Sequence, residues 1–288
     1  MIDSPRYFCA FIMFRKFSLG FSPCPNDTFI FDALVHERFE SPVKVKSLLL
    51  DVEQLNEKAQ QQELDITKLS FSAYAFVSKQ YQILQSGSAL GRNCGPLLIS
   101  KKKYDFSEIN DLRIAIPGKY TTANLLLSIF ALQALDKTEL IFSEIEGAVL
   151  SGKFDAGLII HENRFTYQQR GLIKIADMGE LWEQNFHAPI PLGCIAVRRS
   201  LPETEKKIIE EAIYESVLYA HENPHASRSY IQQHAQEMSE EVQQQHIRLY
   251  VNDFTIALGE EGQDAIYKLF AEGKKAGLLP EITEPMFL

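Results

Sequence analysis

From Ser18 onward, short apolar runs alternate with stretches whose apolar residues recur every three or four positions, and this alternation predicts strand and helix in turn. Ser18 to Phe21 reads as a strand and Asp27 to Phe39 as a helix with Phe29, Ile30, Leu34 and Val35 on one face. Val43 to Leu50 reads as a second strand. Asp51 starts a helix through Gln62, with Glu53 and Glu57 near its positive end and Leu55 and Ala59 inward. A third strand, Asp65 to Leu69, carries Lys68 and Ser70 into a helix beginning near Phe71. A βαβαβ order of this kind predicts a parallel sheet with helices packed on it.

Tyr81 to Leu84 and Pro96 to Ser100 read as strands joined by a segment bearing Gly87, Gly91 and Gly95, suited to backbone bends near a ligand or hinge. A second α/β unit follows. It comprises strand Arg113 to Ile116, turn Pro117-Gly118, helix Thr121 to Leu135, strand Leu140 to Phe142, short helix Glu144 to Leu150 and strand Ala156 to Ile160. After Leu172 to Ile175, Pro189-Ile190-Pro191-Leu192-Gly193 suits a crossover between domains. The remainder is read as almost wholly helical: Pro202 to Ala220, Ser227 to Met238, Glu241 to Tyr250 and Gly262 to Ala276. Two α/β units, a returning chain and a helical last third resemble the two-lobed, periplasmic-binding-protein-like clamshell, an α/β fold with its ligand site between lobes. The expected division is a leader over residues 1–15, a first lobe of 16–105 and 195–288, and a second lobe of 106–194. Crossings are expected near Ser100 to Arg113 and near Pro189 to Cys194.

With 288 residues the chain exceeds one ordinary core, which agrees with two lobes. A net charge of -9, with no basic block larger than Lys101-Lys102-Lys103, argues against a nucleic-acid surface. Cys9, Cys24, Cys94 and Cys194 are widely spaced, so neither a zinc knuckle nor a redox pair is suggested, and a reducing cytoplasm fits them. The apolar run Tyr7 to Phe14 has Asp3 before it, Arg15-Lys16 after it and no small-residue cleavage site, so it reads as an added or misassigned leader, with Met13 an alternative start. No apolar run approaches the ~20 residues of a membrane span.

Three of the predicted strands run into polar clusters: Pro25-Asn26-Asp27-Thr28, Tyr120-Thr121-Thr122 and His161-Glu162-Asn163. Ligands of open α/β sheets bind at the carboxyl ends of strands, so the clusters point to one site assembled from distant segments. Each also has a plainer reading. Thr121 and Thr122 serve equally as helix caps, as do Asn26, Asp27 and Thr28. Lys68 and Ser70 lie on one side of their strand, where they suit a carboxylate ligand or simply a surface lysine beside a capping serine. His161 is a general base at the cleft or a buried structural histidine. No second histidine lies at ligand spacing from it, so a metal is not expected, and His221, His225, His234 and His246 read as solvated. Nucleotide-binding loops and serine elbows are missing from the sequence, which leaves a cofactor-free pocket.

Taken together, the clusters resemble the 1,4-dihydroxy-6-naphthoate synthase family of the futalosine route to menaquinone. The matching stretches are Gly20 to Phe29 (GFSPCPNDTF), Asp65 to Ser70 (DITKLS), Ser86 to Gly91, Gly95 to Leu98, Ile116 to Ala123 (IPGKYTTA), Ile159 to Tyr167 (IIHENRFTY) and Pro189 to Gly193. They span about Leu19 to Glu261 and leave residues 1–15 outside.

The resemblance implies a carbon–carbon lyase that converts cyclic dehypoxanthine futalosine to 1,4-dihydroxy-6-naphthoate; the readings above add a cytoplasmic setting without cofactor, metal, nucleic acid or membrane. It places the catalytic base at His161 and substrate-binding positions at Lys68, Ser70, Thr121 and Thr122, to which the first strand-end cluster adds Asn26 and Asp27 as candidates. Two alternatives stay open: a chorismate dehydratase-like sister enzyme of the same pathway, and a non-catalytic solute-binding protein.

Overall fold

In a computed structural model of the chain, residues 16–235 and 239–288 are described. The expected leader and the end of the helix read to Met238 lie outside them. The first unit runs β1 (Lys16–Phe21), α1 (Pro25–Val35), β2 (Lys44–Leu49), α2 (Val52–Gln60), β3 (Ile66–Ser70), α3 (Phe71–Val77), β4 (Tyr81–Ile83) and β5 (Ala89–Gly91). β1 is parallel to both β2 and β3, as the βαβαβ order requires. α2 begins with a capping box: the Asp51 carboxylate accepts the Glu53 N–H at 2.9 Å, and the Gln54 side chain accepts the Asp51 N–H at 3.1 Å.

The second unit comprises β6 (Leu97–Ser100), β7 (Ile114–Ile116), α4 (Thr122–Phe130), β8 (Lys137–Glu139), α5 (Ile145–Leu150), β9 (Ala156–Ile159), α6 (Asn163–Thr166), β10 (Ile173–Asp177) and α7 (Met178–Phe186). Its sheet has the order β10-β6-β9-β7-β8. The chain then returns through β11 (Ile190–Arg198), which lies antiparallel to β3, β4 and β5 in the first sheet, ordered β2-β1-β3-β11-β4. Helices α8 (Glu203–Glu222), α9 (Arg228–His234), α10 (Glu240–Tyr250), α11 (Asp253–Ile256) and α12 (Gly259–Lys275) complete the chain. α8, α9 and α10 pack on α1. Ser216 of α8 ties the first contact, donating to Ile30 O at 2.6 Å and accepting the Leu34 N–H at 3.2 Å.

Three expectations are corrected. The first crossing lies before β6, not over 100–113, because Leu97–Ser100 pairs with β9 in the second sheet; the expected first lobe of 16–105 therefore ends some ten residues early. At this crossing the Gly95 and Gly179 backbones touch. A Cβ on Gly95 would stand 2.1 Å from Gly179 N, so any side chain here would force the two segments apart. Second, β8 sits at Lys137–Glu139 and not over Leu140 to Phe142, since its ladder to β7 starts at Ile114–Lys137; Phe142–Glu144 is a 3-10 turn. Third, only the start of the segment read as a crossover at Pro189 to Gly193 crosses: the chain leaves α7 at Phe186 and enters the first sheet at Ile190, so the rest of the segment is the start of the nine-residue β11. Pro191 is accommodated because the register shifts between Pro191 and Gly193, a bulge that relieves the ladder of the missing N–H. Among the described residues no helix is long and apolar enough to cross a membrane.

Candidate active site

Asn26, Asp27, Lys68, Ser70, Thr121, Thr122 and His161 line a single cleft of about 690 Å³, open space at its mouth included. β3 supplies Lys68 and Ser70, the first turn of α1 supplies Asn26 and Asp27, the N-terminus of α4 supplies the threonines, and the turn after β9 supplies His161. The site therefore lies at the seam between the two sheets. Contributions from both lobes meet there.

Asp27 is the hub of the first-lobe wall. Its Oδ2 accepts the Ser22 hydroxyl at 2.7 Å, and its Oδ1 accepts the Asn26 amide at 2.8 Å and faces Lys68 Nζ at 2.9 Å. Lys68 also donates to Gly87 O at 3.2 Å, which leaves one of the three ammonium donors for the cleft. The pair is buried, and each charge has further hydrogen bonds that help it persist there: Gly87 O on Lys68, and Ser22 and Asn26 on Asp27. Ser70 is held by Asn56, which accepts its backbone N–H at 3.0 Å and donates to its hydroxyl at 3.2 Å.

On the second-lobe wall the hydroxyls are occupied by structure. Thr121 Oγ1 donates to Gly118 O at 2.8 Å and accepts the Asn124 N–H as the cap of α4. Thr122 Oγ1 donates to Leu192 O at 2.7 Å and accepts the Ser72 N–H at 3.2 Å, joining the lobes. What the first turn offers a ligand is its backbone. N–H groups there have no carbonyl four residues back, and the helix dipole favours an anion beside them.

His161 has φ +60°, a left-handed conformation that turns the chain sharply at the end of β9 and is uncommon outside glycine. Its Nδ1 lies 3.2 Å from Cys24 Sγ, its ring meets Phe142 edge to face at 4.7 Å, and its enclosed Nε2 has no hydrogen-bond partner among the described residues. Desolvation pushes its pKa down to about 4, with Asp27 opposing the fall and Lys68 adding to it. Burial pushes the Cys24 thiol up, reinforced by Glu162. Ligating atoms of Cys24, His161 and Glu162 all lie within 4.8 Å of one another. The sequence spacing that spoke against a metal did not foresee Cys24, which comes from 137 positions away.

His246 corrects one expectation. Read as solvated, it is buried, lines the cleft and stacks near Tyr250 at 4.6 Å between ring centres. Because the Asn26 amide donates to Asp27, Asn26 Oδ1 must accept, and His246 Nε2 donates to it at 2.8 Å. Its ring centre is 6.2 Å from that of His161. A signal was present in the sequence: Gln243, His246, Ile247 and Tyr250 share one face of α10, and all four are buried.

Two sheets joined by two crossing segments, with a cleft at their seam, define the periplasmic-binding-protein-like clamshell. Solved structures bear this out at the level of fold. A ligand binding component of an ABC-type import system from Staphylococcus aureus has a TM-score of 0.69 at 14% identity, covering 94% of this chain and 97% of that one. The alkanesulfonate-binding protein SsuA from Xanthomonas axonopodis pv. citri has a TM-score of 0.69 at 15% identity, covering 93% and 95%. Protein AF1704 from Archaeoglobus fulgidus is nearer, with a TM-score of 0.87 and 33% identity over 92% of this chain and 98% of its own. The family described as menaquinone biosynthesis matches residues 17–275. Two relatives named "1,4-dihydroxy-6-naphtoate synthase" align over nearly their whole length. The one from Thermus thermophilus is 46% identical, covering 94% of this chain and 98% of the relative; the one from Streptomyces coelicolor is 42% identical, covering 92% and 95%. The chain belongs to the menaquinone-biosynthesis family and, within it, to the 1,4-dihydroxy-6-naphthoate synthases.

Proposed function

We propose that this enzyme is a cytoplasmic carbon–carbon lyase that converts cyclic dehypoxanthine futalosine to 1,4-dihydroxy-6-naphthoate, with His161 as the general base. The observation that carries the reading is the enclosed Nε2 of His161, a ring nitrogen without a hydrogen-bond partner among the described residues, in a cleft that also holds an ammonium group and a helix N-terminus.

Release of the naphthoate requires removal of a proton and cleavage of a carbon–carbon bond. A neutral imidazole within reach of that proton supports the step, typically by ~10²- to 10⁴-fold. The tautomer matters. With Nδ1–H donating to Cys24 Sγ, Nε2 presents its lone pair to the substrate, so Cys24 acts as a positioning residue. Desolvation keeps the ring neutral, which makes the base available but weak. A substrate carboxylate entering beside Lys68 adds negative charge near the ring and raises its proton affinity when the proton is taken.

The free ammonium donor of Lys68, with Ser70 next to it, suits that carboxylate. Backbone N–H groups at the start of α4 suit a ring oxygen that gains negative charge, and Thr121 and Thr122 hold this turn in place. Asp27 and Asn26 orient Lys68. Closure of the two lobes over the substrate excludes water from the intermediate.

The purified protein incubated with cyclic dehypoxanthine futalosine should release the naphthoate, detected by its absorption and mass. Unchanged substrate would overturn the proposal. Turnover of chorismate in its place would assign the chain to the sister dehydratase reaction.

A further inference from the structure

Cys24 caps the start of α1 in the first lobe, whereas His161 and Glu162 follow β9 in the second. Their ligating atoms nevertheless lie within 4.8 Å of one another, with Cys24 Sγ 3.2 Å from His161 Nδ1. Thiolate, imidazole and carboxylate are the donors that hold zinc and cobalt. Two such ligands on one tetrahedral zinc, at 2.3 Å for sulfur and 2.0–2.1 Å for nitrogen, stand roughly 3.5 Å apart. The Cys24–His161 separation is within a few tenths of that value. Glu162 needs only a side-chain adjustment to complete a three-ligand set, which leaves one position for water.

We propose that Cys24, His161 and Glu162 form a lobe-bridging site for a thiophilic divalent cation, zinc or cobalt, whose occupancy locks the cleft and withdraws His161 from the reaction. A thiolate and a carboxylate balance the two positive charges, and a neutral imidazole is the form that ligates. On binding, the S–H bond of Cys24 breaks, its proton leaves to solvent and a sulfur–metal bond takes its place, with no change of oxidation state. The cation binds His161 Nδ1 in place of the contact with Cys24; the Nδ1 proton moves to Nε2, so the ring stays neutral and Nε2 no longer presents a lone pair. Because the ligands come from both lobes, opening the cleft parts them; the cation enters and leaves with the open form. Such a site is inhibitory, not a resident cofactor site.

The test uses the full chain, stripped of metal and titrated with Co²⁺ alone. One equivalent should produce the near-ultraviolet charge-transfer absorption of a cobalt–thiolate bond, and Zn²⁺ should displace it. Cys24→Ser should abolish the band, while Cys94→Ser and Cys194→Ser should retain it. Glu162→Gln should keep the band but weaken cobalt binding by roughly tenfold or more, in line with loss of one metal-bound group. Zn²⁺ should also raise the melting temperature of the wild type and not that of Cys24→Ser. A titration without the band, a band that survives Cys24→Ser, or unchanged affinity in Glu162→Gln would overturn the proposal. The absorption needs no turnover, so its outcome is separate from that of the reaction proposed above. In the activity assay, Zn²⁺ at saturation should stop turnover and a chelator should restore it; full activity at saturation would overturn the inhibitory role.

Discussion

Glu53 Oε1 accepts the backbone N–H of Tyr120 at 2.7 Å, and the two residues belong to opposite lobes. The other carboxylate oxygen accepts the Asn56 amide at 2.8 Å, and Asn56 in turn holds Ser70, so the contact between lobes reaches the wall of the cleft. Gly118 leaves the space for it. A Cβ there would stand 2.4 Å from Glu53 Cδ, on a backbone at φ +151° that other residues rarely adopt.

This latch should depend on pH. Burial raises the Glu53 carboxyl from 4.5 to about 7, against the opposing hydrogen bonds from Tyr120 and Asn56; Glu139 and Glu57 add to the rise. A carboxyl that binds its proton more tightly when folded contributes stability fully present below its unfolded pKa and lost as pH rises through the folded value. Between about pH 5 and about pH 8 the wild type should lose on the order of 3 kcal/mol relative to Glu53→Gln. Denaturant unfolding of both proteins at the two pH values checks this. Parallel pH dependence would remove Glu53 as the titrating group.

His161→Asn should lower kcat by ~10²-fold or more while the protein still folds, because the base is lost but asparagine tolerates the left-handed backbone. His161→Ala should lose the same activity and melt lower, since alanine at this φ adds strain of about 1 kcal/mol. Steady-state kinetics and thermal melts separate the two effects. Activity within tenfold of wild type would take His161 out of the mechanism.

Lys68→Met should destabilise the protein by about 3–5 kcal/mol, because it strands Asp27 in a buried site without its counter-charge. Lys68→Met with Asp27→Asn should recover most of that loss and none of the activity. The double-mutant cycle in unfolding free energy measures the coupling. An additive cycle would show that the two charges stand apart in solution.

His246→Ala should raise KM more than it lowers kcat and should destabilise the fold by at least about 1–3 kcal/mol, since Asn26 Oδ1 is left buried without its donor. Kinetics with a melting curve distinguish this from a role in proton transfer. A loss of kcat equal to that of His161→Asn, with melting unchanged, would give His246 a share in the chemistry.

The sequence by itself determined the local elements and the residue types of the site. Apolar periodicity located β1, α1, β2, α2 and β3 to within a few residues, because the side-chain repeat of a helix or strand is a property of adjacent positions. Motif resemblance named the family and, together with the strand-end clusters, singled out seven residues that the fold brings to one cleft. Tertiary structure alone decided what depends on distant partners. The run Leu97–Ser100 reads as a strand in any context, but only its pairing with β9 assigns it to the second sheet. Pro191 and Gly193 read as a break until a bulge against β5 absorbs them. His246 sits on a helix with many polar residues, and its burial follows from Asn26, 220 positions away. The contacts of Cys24 with His161 and of Glu53 with Tyr120 have the same origin. Distance and desolvation belong to the packed chain, so the sequence shows which groups can do chemistry, and packing shows which of them meet and in what charge state.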